Sequence, residues 1–107
     1  MTENEIATQI VDAVFKIHTT LGPGLLESVY EAVMAEELSR RGLQVIRQQA
    51  IPVAYESVRL DIGFRTDLIV EGKVIAEIKS VEAIAPVHKK QLLTYLRLAN
   101  KKLGLLI

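Results

Sequence analysis

The chain is 107 residues long, half of them hydrophobic and 24% charged, with a formal net charge of zero. That length admits one domain, and the composition is that of a folded globular protein, not of a disordered or fibrous one. Lack of cysteine excludes disulfides, thiolate nucleophiles and cysteine-based zinc sites, and no run approaches the roughly 18 apolar residues of a membrane span.

The acidic, polar start MTENEIATQI does not have the basic-then-apolar layout of a secretory leader. Together with the missing cysteines it sets the expectation of a cytoplasmic protein with no membrane partner. The neutral total hides an asymmetry. Residues 1–37 carry seven acids against one base, Lys16, whereas residues 79–107 carry six bases (Lys79, Lys89, Lys90, Arg97, Lys101, Lys102) against Glu82 alone. Such a basic C-terminal third is either a patch for phosphates or a solvated helix face.

Taken in chain order, Ile6, Ile10, Val14, Ile17 and Leu21 recur at steps of three and four, the stripe of an amphipathic helix. Gly22-Pro23-Gly24 ends it, because proline cannot continue a helix and glycine permits a sharp reversal. A second helix is predicted over 25–41, with Leu26, Val29, Val33 and Leu38 as buried candidates and Gly42 as its C-terminal cap. From Leu43 the period falls to two. Val45, Ile51, Val53 and Tyr55 predict a strand bent or bulged near Pro52, followed by strands over 58–70 and 73–80 with tight connections near 56–57 and 71–72. Closely joined strands of this kind form an antiparallel meander. Pro86 opens a helix to Ala99 with Leu92, Leu93, Leu96 and Ala99 facing inward, and a strand over 103–107 closes the order. Strand, helix, strand favours a right-handed crossover and a parallel pair. The expectation is one α/β domain over 1–107 with a mixed four-stranded sheet, helices packed on it and an extra N-terminal helix. Because Leu105-Leu106-Ile107 stops inside an apolar strand, the natural chain is expected to continue.

Asp67 and the tripeptide Glu77-Ile78-Lys79 fall on consecutive strands. Alternation puts Glu77 and Lys79 on one face of the third strand, and Arg65 and Asp67 on one face of the second. The two faces coincide only if paired residue numbers sum to an even value. A three-residue connection (Glu71, Gly72, Lys73) does this and sets Asp67 opposite Glu77 and Arg65 opposite Lys79, whereas a two-residue turn points the acids apart unless a bulge restores the phase. Two adjacent carboxylates repel unless a proton or a cation compensates. Mg²⁺ takes one or two carboxylates and keeps several waters, which suits the pair. The Ile78 carbonyl can add an oxygen ligand, and Lys79 can orient a water or offset charge developing on a phosphoryl group. By itself the D-x9-E-x-K spacing is weak, since exposed acids and lysines often form ordinary surface pairs.

The rest of the chain adds to it. Gly24-Leu25-Leu26-Glu27-Ser28-Val29-Tyr30, His18 with the Leu-Gly-Pro-Gly approach, Arg65-Thr66-Asp67, Glu77-Ile78-Lys79, Pro86-Val87-His88 and Gln91-Leu92-Leu93-Thr94-Tyr95 occur in that order. In these motifs the sequence resembles the GxxExxY family of the PD-(D/E)xK nuclease superfamily, with the QxxxY motif of RecB-like members. The resemblance implies an αβββαβ core like that of restriction endonucleases. It implies that Asp67, Glu77 and Glu27 hold Mg²⁺ or Mn²⁺, with Lys79 as the fourth catalytic residue. Gln91 and Tyr95, at i and i+4, then share a helical face that holds substrate phosphate or supports the site, or else form the polar edge of a packed helix.

Tyr30 reads equally as a core residue with a tethered hydroxyl. His18 lines the site or serves the helix end, and His88 projects with Gln91 or lies in solvent; two histidines without cysteine make zinc improbable. The function expected is metal-dependent hydrolysis of phosphodiester bonds, in DNA before RNA. The alternatives are a catalytically silent nuclease-fold binding or assembly module and a protein that dimerises through its helices or sheet edge, a homodimer being the expected assembly.

Overall fold

Thr2 starts helix α1 (Glu3–Leu21) through a reciprocal capping box: its hydroxyl accepts from the Glu5 N–H and the Glu5 carboxylate accepts from the Thr2 N–H. The computed structural model describes residues 1–22, 24–79 and 85–107. Ile6, Ile10, Ala13 and Ile17 form the buried stripe of α1. Val14 packs only partly against it, and Leu21, expected in the stripe, is exposed at the helix end. Gly22 terminates the helix with φ 78° and donates its N–H to the His18 carbonyl. Pro23, read as the helix breaker, lies outside the described residues, as does Ser80 at the expected end of the third strand.

Helix α2 (Glu27–Arg40) buries Glu31, Met34 and Leu38. This corrects the expectation for Leu26 and Val29, both exposed. Apolar residues surround most of this helix, so the pattern alone does not select a face; the face taken is the one that reaches α1 and the sheet. Beyond the helix, Gly42 at φ 83° donates its N–H to the Ser39 carbonyl and Leu43 donates to the Leu38 carbonyl. That is a Schellman closure, and Leu38 and Leu43 both belong to the core cluster it seals.

The sheet runs β1-β2-β3-β4, formed by β1 (Val45–Tyr55), β2 (Val58–Val70), β3 (Val74–Glu77) and β4 (Leu103–Leu106). The first two pairings are antiparallel and β4 joins β3 in parallel, after helix α3 (Pro86–Ala99). The molecule is therefore a mixed α/β domain with a mixed sheet. The β1–β2 register shifts between Ile51 and Val53, where Pro52 has no N–H to give the ladder.

Alternation along the strands builds two apolar layers. Leu68, Val70, Val74, Ala76 and Ile78 pack toward α1 and α2 with Ile6, Ile10, Met34 and Leu38. Ile51, Ile69 and Ile75 pack toward α3 with Leu92 and Tyr95. Leu92 is buried as expected, Leu96 and Ala99 pack partly, and Leu93 is exposed because α3 turns Tyr95 inward instead. Helix and sheet approach closely here: a Cβ on Gly104 would stand 2.8 Å from Leu92 Cδ1, so β4 carries no side chain at this crossing.

Candidate metal centre

The turn after β2 decides where the acids meet. Glu71 and Gly72 take φ 54° and 63°, and Lys73 donates its N–H to the Val70 carbonyl at 3.0 Å. Two successive residues at positive φ are the pattern of a tight hairpin turn. Lys73 is then the extra residue before the ladder starts, which explains why glycine is the middle residue of the three-residue connection. Leu68 pairs with Ala76, Ile69 with Ile75 and Val70 with Val74. These numbers share the even sum required, so the expected register holds and the next position brings Asp67 to Glu77.

At that position side chains replace the ladder. The Asp67 N–H donates to Glu77 Oε1 at 3.0 Å, and the Ile78 N–H donates to Asp67 Oδ2 at 2.8 Å. Each carboxylate is thus anchored to a backbone amide of the opposite segment. Beyond them, Ile107 donates its N–H to the Glu77 carbonyl and accepts from the Lys79 N–H, both at 2.9 Å, so the end of the chain fixes the spacing between Glu77 and Lys79. The Glu77 side chain is almost wholly buried. Burial first, and then the neighbouring Asp67 carboxylate, push its pKa up to about 7, against the smaller opposing pulls of the Asp67 amide and Lys79.

Tyr95 closes the α3 side. It is buried, its ring meets Phe64 edge-on with centroids 5.2 Å apart, and burial followed by the charges of Glu77 and Asp67 raises its hydroxyl pKa. Gln91, one turn earlier on α3, is exposed. Arg65, expected opposite Lys79, is exposed and donates from Nη1 to the Gln48 carbonyl at 3.2 Å.

An acid that the sequence reading did not single out is Glu31. It is 5% exposed. Its Oε2 accepts from Arg47 Nε and Nη2 at 3.2 and 3.0 Å, and its Oε1 accepts from Gln48 Nε2. Gln48 Nε2 also donates to Asp67 Oδ1 at 3.3 Å. Gln48 itself has φ 51° in mid-strand, which costs a non-glycine residue about 1 kcal/mol. The sequence carries only part of the signal for Glu31: positions 31, 34 and 38 form one stripe on α2, where a buried glutamate must find partners inside, but the apolar pattern of this helix does not select that stripe.

Glu27, the expected third acid, is the first residue of α2 and is exposed, one helical turn from Glu31 on the same face. Among the described residues no group of three or more His, Cys, Asp or Glu side chains gathers to hold a metal ion. The structure therefore brings Asp67 and Glu77 together and does not assemble Glu27 with them into a three-acid group. Tyr30 is partly buried against the core, where burial raises its hydroxyl pKa. His18 is exposed in the last turn of α1. His88 caps α3: its Nδ1 accepts from the Ala85 N–H at 3.0 Å, so Nε2 carries the proton in the neutral ring.

The donor set suits a hard divalent cation. Two adjacent carboxylates, each with further lone pairs free, match what Mg²⁺ takes from proteins, the remaining positions being filled by water or substrate. Glu77, raised toward neutrality without a cation, is the group such an ion would ionise.

A family model of the PD-(D/E)XK nuclease superfamily matches residues 4–107, nearly the whole chain. The protein belongs to this superfamily, with which its mixed α/β fold is compatible. Its members are generally nucleases, hence hydrolases, and use divalent metal ions, typically Mg²⁺. No curated protein and no solved structure matches the chain. Among the described residues no helix is long and apolar enough to cross a membrane.

Proposed function

We propose that the protein is a nuclease of the GxxExxY group that hydrolyses phosphodiester bonds, in DNA before RNA, with Mg²⁺ or Mn²⁺ held by Asp67, Glu77 and the Ile78 carbonyl. The observation that carries this reading is the interlocked Asp67–Glu77 pair, in which a buried carboxyl is held beside a second one by backbone hydrogen bonds. Ionising both acids together in this way is unfavourable without a compensating cation, and a proton on Glu77 is the alternative near neutrality.

Held there, a divalent ion would neutralise the carboxylates and supply Lewis-acid polarisation of the phosphodiester group. The chain's own residues supply the rest. Lys79 offsets charge developing on the phosphoryl oxygens or orients the attacking water. Gln91 and Tyr95 present one face of α3 to the site, with Gln91 at the rim to contact phosphate. Exposed Lys89, Lys90 and Arg97 on the same helix favour a polyanionic substrate. Glu27, one turn beyond Glu31, supplies a further carboxylate at the rim once substrate and cation are bound. His18, Arg65 and Tyr30 support the surrounding elements.

The test is cleavage of single-stranded, duplex and branched DNA and of RNA with Mg²⁺ or Mn²⁺. Asp67→Ala and Lys79→Ala are expected to abolish cleavage while leaving the domain folded. Calorimetric titration with Mn²⁺ separates the alternative: absence of binding, with no cleavage of any substrate, replaces the nuclease with a silent module of the same fold.

A further inference from the structure

We infer that Gln48 is a positioning residue for the Asp67 carboxylate, held in place by Glu31 and Arg47, and that it tightens divalent-cation binding by fixing the rotation of that carboxylate. The inference rests on the metal-site reading above.

A carboxamide nitrogen carries two hydrogens. Gln48 Nε2 has an acid for each, Glu31 Oε1 on one side and Asp67 Oδ1 at 3.3 Å on the other. Glu31 cannot turn away to release it, because the other Glu31 oxygen takes both Nε and Nη2 of Arg47 and the side chain is buried. On the far side of Asp67, Oδ2 accepts from the Ile78 N–H at 2.8 Å. Both oxygens of Asp67 are therefore pinned, one by the neighbouring segment's backbone and one by Gln48. Each keeps a further lone pair whose direction is now set. Partners of this kind, behind a metal-binding carboxylate, commonly alter affinity by about 10- to 100-fold.

The backbone at Gln48 supports the same conclusion. The β1–β2 ladder pairs Arg47 with Leu68 and Gln49 with Thr66 but does not pair Gln48 with Asp67. Gln48 adopts left-handed φ 51° there, and its carbonyl accepts from Arg65 Nη1. A residue that merely continued the strand would need no such conformation. Backbone strain in a non-glycine residue, located opposite a functional acid, is the kind of distortion that folds retain for a site. The strand also changes phase nearby. Phe64 and Ile69, five residues apart, both pack in the α3-facing cluster, which unbroken alternation would forbid.

Gln48→Gly deletes the amide and keeps a residue suited to positive φ. Gln48→Asn keeps an amide that is one methylene too short to span both acids. Two readouts apply: the Mn²⁺ Kd, and the ¹³C resonance of the Asp67 carboxyl in metal-free protein, which responds to hydrogen bonding. Both variants are expected to stay folded but to melt somewhat below the wild type, because Glu31 gives up one of its partners, to bind Mn²⁺ about tenfold more weakly and to shift the Asp67 resonance. A wild-type Kd with an unshifted resonance in either folded variant overturns the inference. If the wild-type protein binds no Mn²⁺, the metal-site reading fails by itself. The resonance then decides the positioning contact: a shift in Gln48→Gly upholds it and an unmoved signal overturns it.

Discussion

The two faces of β3 and the adjoining end of β2 differ completely, although they are made by alternate residues of the same short segments. Toward α1 and α2 stand Leu68, Val70, Val74, Ala76 and Ile78, an unbroken aliphatic layer. Toward α3, Ile69 and Ile75 give way to Asp67 and Glu77, and past the strand end follows Lys79, whose charge acts on Glu77. One face stabilises the fold by removing apolar surface from water. The other sacrifices some of that gain by keeping two carboxylates side by side. The lesson is that the rigid aliphatic layer is what lets the charged face persist: the register that buries Leu68 and Ala76 is the register that sets Asp67 against Glu77.

Substitutions on the two faces should therefore have opposite signatures. The largest effect is expected from Asp67→Ala or Lys79→Ala, which should lower cleavage by about a hundredfold or more in a protein that still folds; a loss of activity that only follows unfolding would make these residues structural. Next comes Leu68→Ala on the aliphatic face, at about 2–5 kcal/mol in denaturant unfolding, because the side chain is fully buried and its neighbours cannot collapse freely into the space.

Glu77 yields a pH effect of defined sign. Its folded pKa, about 7, lies above the ordinary value of 4.5. The folded protein thus keeps a proton that the unfolded chain has already lost, and stability from this group is complete below pH 4.5 and falls as the pH rises toward 7. The loss is at most about 3 kcal/mol. Glu77→Gln should remove this slope and raise the melting temperature of the metal-free protein at pH 7.5, and saturating Mn²⁺ should flatten the wild-type profile. A wild-type stability that climbs between pH 4.5 and 7, with Glu77→Gln climbing less, would reverse the assignment. The smallest effect belongs to Gly42→Ala, about 1 kcal/mol from forcing a side chain to φ 83° with no clash behind it, measurable as a shift in urea midpoint.

Much of this architecture is legible in the sequence because its signals are local. Val58–Val70 and Pro86–Ala99 have their expected bounds, set by a turn at 56–57 in one case and by proline at a helix start in the other. The meeting of Asp67 and Glu77 followed from counting connection residues. What escaped prediction depends on tertiary choice. Leu26, Val29 and Leu93 look like core residues by type, yet each helix has more apolar positions than one face can bury, and only packing selects among them. Glu31 was hidden for the converse reason: its burial is made tolerable by Arg47 and Gln48, partners some sixteen residues away whose approach no local pattern announces. The motif glutamate Glu27 drew attention, while the acid actually tied to Asp67 through Gln48 lay one turn further on.

Gly104 has a consequence for the depth of the site. With no Cβ between β4 and Leu92, α3 rests directly on the sheet, and that clearance sets how far Tyr95 stands from Asp67 and Glu77. A single methyl at this position acts as a shim. It would tilt or lift the helix, at about 1–3 kcal/mol of overpacking, and move Tyr95 relative to the acids without altering any of the three. The spacing between helix and acids is thus written into the one β4 residue without a side chain.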